Sequence, residues 1–178
     1  MAKERTNIFF ILCFLAVLIL SGCRDKEEEP TGAGSQTAKV VISPASGAVP
    51  LGSTFTRTVD VRDVKNVFFS AFDVAYDPKV IEFVMPAEEG TFLNKSVPHS
   101  TSMQVALQNA AQGRVVVGLT RLGPIGDVSG DGTLLTLTFK AVGPGATTLA
   151  FTNPKGLKNS ANQDVAIGAW EDGTVTVQ

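Results

Sequence analysis

The sequence predicts an all-β fold, an antiparallel sandwich or barrel, over residues 39–178. Three observations carry this. Between Val67 and Tyr76, Phe68, Ser70, Phe72, Val74 and Tyr76 fall on one face, and Phe69, Ala71, Asp73 and Ala75 on the other. That period of two marks a strand with one buried side. Glycine, proline and asparagine turn signals recur about every ten residues, with no long helical pattern forced between them. The segment is also long enough to bury one sizeable core.

Taken in order, Val40–Ser43 is a first strand closed by Pro44, and Ala45–Gly52, with Gly47, Pro50 and Gly52, reads as a loop. Thr54–Arg62 alternates, with Phe55, Val59 and Val61 inward; Arg57 interrupts that face and is expected near a strand end or rim. Asp77-Pro78 stops the Val67–Tyr76 strand, because proline offers no N–H and restricts the residue before it. Val80, Ile81, Phe83 and Val84 begin the next strand. Pro86–Ser100 has no period and reads as a loop with Phe92 and Leu93 tucked inside.

Met103, Val105 and Leu107 alternate with Gln104, Ala106 and Gln108, which predicts a strand. A short helix over Ser102–Gln112 is the alternative, since alanine and glutamine favour helix. Asn109–Gly113 turns the chain and Val115–Leu122 returns it. Gly123–Gly132 is the densest turn signal. Thr133–Val142 is a strand with Leu135, Leu137 and Phe139 on one face. Gly143-Pro144-Gly145 is a tight turn, Ala146–Thr152 a strand, Asn153–Ala166 a loop and Gly173–Gln178 the closing strand.

Ahead of this domain, Lys3, Glu4 and Arg5 precede an apolar run, Ile8–Leu20. The run is short of the roughly 20 residues of a membrane span and suits a signal-peptide core. It ends at Leu20-Ser21-Gly22-Cys23, which resembles the lipobox of bacterial lipoproteins. The resemblance implies removal of residues 1–22 as a lipoprotein signal peptide and acylation of Cys23. The chain would then be anchored in the cell envelope, lipid-held to a bacterial membrane and facing its extracytoplasmic side. An ordinary secretory signal with an incidental cysteine is the other reading. Cys13 leaves with the leader, so no disulfide framework or cysteine metal site remains. Arg24–Ala38 is polar and small and cannot offset its ordering entropy, so residues 23–38 are expected to act as a flexible tether. The net charge of −2 and the lack of a basic stripe argue against nucleic acid as a partner. Membrane contact rests on lipid alone.

Candidate chemistry is sparse, and no enzyme activity, cofactor or metal is expected. Asp127-Val128-Ser129-Gly130-Asp131-Gly132 resembles the opening of a calcium loop, but its twelfth position is Thr138 rather than an acid. A glycine-rich turn fits better. His99 is the sole histidine, and neither Ser100 nor Ser102 lies in a nucleophile-elbow pattern. Glu82, Glu88, Glu89, Glu171 and Asp172 read as ordinary surface acids rather than a hydrolytic pair. Trp170, beside Gly168 and Glu171-Asp172, is the one candidate for stacking a sugar ring; Tyr76 points inward.

Tyr76-Asp77-Pro78-Lys79-Val80-Ile81-Glu82-Phe83 resembles the Tyr-Asp-Pro turn of cohesin domains. Asp131–Ala141 is similar to their glycine-led strand before the last sheet, and Gly143–Phe151, Leu157–Ser160 and Gly173–Val177 follow in the family's order. The resemblance implies a jelly-roll sandwich of about nine strands. It implies a non-catalytic adhesion or scaffold module at the cell surface that docks a dockerin-like partner, calcium-loaded on the partner's side and tied to polysaccharide breakdown. Docking in that family uses the outer face of one sheet. The matching positions here are Phe69 and Ala71, apolar where cellulosomal members are polar, with Asp73 the face's one charge. The rival reading is a carbohydrate-binding module that holds polysaccharide directly through Trp170.

Overall fold

The alternation at Phe68–Tyr76 becomes the middle of a sheet. The computed structural model describes residues 37–95, 97 and 100–178. In chain order the strands are β1 (Lys39–Ser43), β2 (Ser46–Val49), β3 (Thr54–Val67), β4 (Phe69–Ala75), β5 (Ile81–Glu89) and β6 (Thr101–Asn109). A 3-10 turn at Ala110–Gln112 leads to β7 (Arg114–Arg121), β8 (Val128–Ala141), β9 (Gly145–Lys158), β10 (Ala169–Glu171) and β11 (Gly173–Val177). One sheet runs β10-β1-β3-β8-β5, the other β2-β11-β9-β4-β7-β6. They face each other as an all-β sandwich.

Two segments are shared between the sheets. β1 pairs with β3 and β10, then the chain passes Pro44 and continues as β2 beside β11 in the opposite sheet. β10 and β11 are divided the same way at Asp172, whose Oδ1 accepts the Phe151 N–H at 2.9 Å. The described residues form eleven strands where about nine were expected, and each switch divides one run into two short strands. The switches also correct the loop assigned to Ala45–Gly52: Ser46–Val49 is a strand by virtue of parallel pairing with the distant C-terminal strand.

The core is drawn from both inner faces. Phe139 lies at its centre, with ring centroids 5.9, 5.5 and 5.7 Å from Phe55, Tyr76 and Phe83. Phe72, Val74, Val115, Leu149 and Val175 line the opposite sheet and are fully buried. Phe92 and Leu93 are tucked under the loop as expected, each 1% exposed. All of these lie within the compact unit Ser35–Gln178, which therefore holds a complete core and the means to fold by itself.

Several elements run further than expected. β3 continues to Val67 through register shifts after Val61 and Val64, with Asp63 and Asn66 at φ of 49° and 55°. β8 begins at Val128, so half of the presumed turn Gly123–Gly132 is strand. β9 continues through Lys158, with Asn153, Pro154 and Lys155 bulged out between the Thr152 and Gly156 pairings. Met103–Leu107 is strand and not helix, because its apolar residues pack on the core at period two. Arg57 lies near the start of β3 but inside the fold, 5% exposed, its guanidinium 5.1 Å from the Phe55 ring centroid. It donates to the Thr56 carbonyl at 2.9 Å, and burial pushes its pKa down.

Tyr76 is the chain's one tyrosine. Burial pushes its phenol above the ordinary value of 10.0, and the Glu82 charge adds to this, while the hydrogen bond from the Phe83 N–H works the other way. A raised folded pKa gives stability that is complete below pH 10 and lost as pH rises through the folded pKa. Stability is therefore expected to fall with pH above about 10, and Tyr76→Phe to flatten that fall. Urea denaturation at stepped alkaline pH, with phenolate absorbance reporting Tyr76 alone, checks both.

Candidate functional site

Because Ser70, Phe72 and Val74 point inward, Phe69, Ala71, Asp73 and Ala75 must project from the outer face of the six-stranded sheet. Their neighbours on β7 and β9 follow from the register. Phe69 lies between Thr120 and Lys158, Ala71 between Gly118 and Gly156, Asp73 between Val116 and Thr152, and Ala75 between Arg114 and Ala150. On β6, Ser102, Gln104 and Ala106 extend the first three rows. The result is a broad face with a floor of small residues. A Cβ built on Gly118 or Gly156 meets nothing within 4 Å, so the space above the middle row is open.

The rim is polar and ordered. Arg114 Nε donates to Asp73 Oδ2 at 2.7 Å, and its NH2 contacts the same oxygen. Asp73 is 1% exposed, whereas the Arg114 side chain is 38% exposed. The expectation that Asp73 is the face's one charge is thus corrected: the carboxylate is covered and engaged, and the accessible charges are Arg114 and Lys158, whose side chains are 38% and 36% exposed. At the other end Phe69 is half-buried, and Lys158 is paired with Asp164 at 2.8 Å.

Trp170 is not presented as a flat platform. It is half-buried at the sandwich edge, 5.1 Å from Phe151 and 6.0 Å from Phe72 by ring centroids, with Lys155 Nζ 5.6 Å from its own centroid. The side-chain oxygens of the segment that resembles a calcium-loop opening each accept from a different backbone N–H. Asp127 Oδ1 accepts from Ser160 N, Ser129 Oγ from Asn66 N, and Asp131 Oδ1 from Asp63 N, at 2.8, 2.9 and 2.7 Å. Each oxygen is thus engaged by a backbone N–H, two of them on β3 and one at Ser160. Among the described residues no group of three His, Cys, Asp or Glu side chains could hold a metal. Glu171 pairs with Lys39 at 3.0 Å. Recesses of about 380 and 500 Å³ lie around Asp63, Arg62 and Lys39. Cys23, the leader, the tether before Thr37 and His99 fall outside the described residues.

The alternation placed Phe69 and Ala71 on this outer face, while Gly118, Gly156 and Arg114 were not placed there from the sequence. Gly118 carried a readable signal: a glycine inside a strand gives up side-chain packing and leaves the sheet surface bare at that point. Gly156 was hidden in a presumed loop. The Asp73–Arg114 pair joins residues 41 apart in sequence, with no local pattern to announce it.

The fold is thus a two-sheet all-β sandwich whose open feature is a sheet face floored by small residues. The profile of the Cohesin domain family matches residues 38–177, and the chain belongs to that family. Among solved structures it is similar to the non-cellulosomal cohesin from the archaeon Archaeoglobus fulgidus, at 17% identity and a TM-score of 0.63 over 80% of this chain and 91% of that one. The cohesin CaCohA2 from Clostridium acetobutylicum matches at 21% identity and 0.65, over 80% and 91%. The sixth cohesin of Acetivibrio cellulolyticus scaffoldin B, solved in complex with a Cel5 dockerin variant, matches at 17% and 0.64, over 80% and 99%. No curated protein matches the chain at a significant level.

Removing Arg114 takes from the Asp73 carboxylate its guanidinium donor. The pair is partly exposed on the arginine side, so Arg114→Ala is expected to cost about 1–3 kcal/mol, less than a fully buried pair. A shift in the urea midpoint without a change in slope would show this.

Proposed function

We propose that this chain is a non-catalytic surface scaffold module that docks a dockerin-type partner on the outer face of β9, β4, β7 and β6. The observation that carries the reading is the open floor of Gly118, Ala71 and Gly156, bounded by Phe69 at one end and Arg114 at the other. Two supports stand beside it: family membership, and the dockerin in the complex of a structural relative. The face is large and shallow, which suits a folded protein module better than a small molecule. A half-buried phenylalanine beside such a floor is a suitable interface anchor. We further propose that Cys23 is acylated, that the module is held to the outside of a bacterial membrane, and that it serves polysaccharide breakdown through its partner. Direct sugar binding gains no support from Trp170, whose ring is committed to Phe72, Phe151 and Lys155.

Calorimetric titration of Ser35–Gln178 with calcium-loaded dockerins from the same organism tests the docking reading. Phe69→Ala is expected to weaken binding by about 10-fold or more. Gly118→Trp is expected to abolish it with the unfolding temperature unchanged, since the new side chain enters open space. Absence of binding to every such dockerin, together with retention on insoluble polysaccharide lost in Trp170→Ala, would replace this reading by direct sugar binding. For the anchor, incorporation of labelled palmitate by the full chain in a bacterial host is expected, and its loss in Cys23→Ala.

A further inference from the structure

Sheet edges are where β proteins meet one another, because an edge strand leaves a row of backbone N–H and C=O groups unpaired. Three of the four edges here are guarded. β10 has three residues and lies beside the Lys39–Glu171 ion pair, β2 has four, and β5 carries Pro86 with Glu82, Glu88 and Glu89. The fourth, β6, has nine residues and contains no Asp, Glu, Lys, Arg or Pro. We infer that β6 is a self-association edge, which pairs antiparallel with β6 of a second copy of this chain about a two-fold axis through Val105.

The backbone phase fits this. Leu122 N donates to Ser100 O at 2.6 Å across β6 and β7, and Arg121 N donates to Phe68 O at 3.0 Å across β7 and β4. In an antiparallel ladder the bonding direction alternates along each strand. Ser102, Gln104 and Ala106 therefore turn their backbone groups toward β7, and Met103, Val105 and Leu107 turn theirs to the open edge. A two-fold register on Val105 puts these open groups opposite their own kind, Val105 against Val105 of the second copy and Met103 against its Leu107.

The side chains are self-complementary in the same register. Met103, Val105 and Leu107 lie on the inner face, half-buried and packed on the core, and each would meet an apolar partner. Gln104 and Ala106 are exposed on the outer face and would meet each other. The strand's lack of charge removes the like-charge repulsion that a two-fold axis would otherwise impose on any residue beside it. No other element need move, because the pairing adds a strand to the end of an existing sheet. Two six-stranded sheets become continuous, and their small-residue faces stand side by side.

Sedimentation velocity of Ser35–Gln178 from about 1 to 500 μM is expected to show a concentration-dependent monomer–dimer equilibrium. Gln104→Lys with Ala106→Lys places lysine opposite lysine across the axis, and is expected to weaken the dimer at least about tenfold. Gln104→Lys with Ala106→Glu places opposite charges there and is expected to restore it. Both positions are exposed, so circular dichroism should be unchanged. As an independent check, Val105→Cys is expected to form a disulfide-linked dimer on mild oxidation, since directly opposed residues of such a pair are about 5.5 Å apart. A monomer at the highest concentration, a dimer indifferent to the lysine pair, or a cysteine variant that stays uncrosslinked would each overturn the proposal.

Discussion

The structure depends on the register of β4 between β7 and β9. Phe72 and Val74 on its inner side are fully buried, and Phe72 meets Phe151 edge-on at 5.5 Å. Each large buried side chain of this kind contributes about 1.5–3 kcal/mol. A slip of one residue would drive Phe69, Asp73 and Ala75 into the core and turn Phe72 and Val74 out to water. The inward side thus fixes what the outward side presents. The small floor around Ala71 is as much a product of core packing as of the floor residues themselves.

The same logic explains what could be read in the chain beforehand. Where one strand alternates large apolar residues with smaller or polar ones, as at Phe68–Tyr76 or Leu135–Phe139, the alternation is written in consecutive residues and the strand is legible. β2 and β10 have no such pattern: Ser46–Val49 and Ala169–Glu171 are short, and are strands because a distant segment pairs with them. Val128–Gly132 looks like a turn because glycine and aspartate abound, yet Ser129 and Asp131 serve as acceptors for backbone N–H groups of Asn66 and Asp63. The bulge at Asn153-Pro154-Lys155 hid the last turn of β9 for a similar reason. Turn-forming residues mark a departure from regular pairing, and the sequence does not say whether the strand resumes.

The candidate face was legible to the extent that it lies on one strand. Phe69, Ala71 and Asp73 share β4 and could be placed together by period alone. Arg114, Gly118, Lys158 and Gly156 reach the face from β7 and β9, and their arrival is decided by register over long loops. Asp73 shows the consequence. As a lone carboxylate at an outward position it reads as a free charge, and only the neighbouring strand reveals that Arg114 covers it.

That ion pair bears on how such a face could bind. Affinity between proteins comes from a few anchored side chains, reduced by the cost of ordering whatever was mobile before contact. An arginine on an open sheet would ordinarily sample many rotamers and lose about 2 kcal/mol of freedom when fixed. Here the buried Asp73 carboxylate already holds two of its nitrogens, so Arg114 meets a partner with most of that loss incurred on folding. Phe69, at the opposite end, has two rotatable side-chain bonds and loses little. The floor between them contributes no large side chain of its own and therefore sets a condition on the partner: bulk must come from the other side, as side chains that descend into the space above Gly118 and Gly156. A face with two held cations, one aromatic anchor and an empty middle selects by shape, and its selectivity resides in the depth of that middle row more than in its charge.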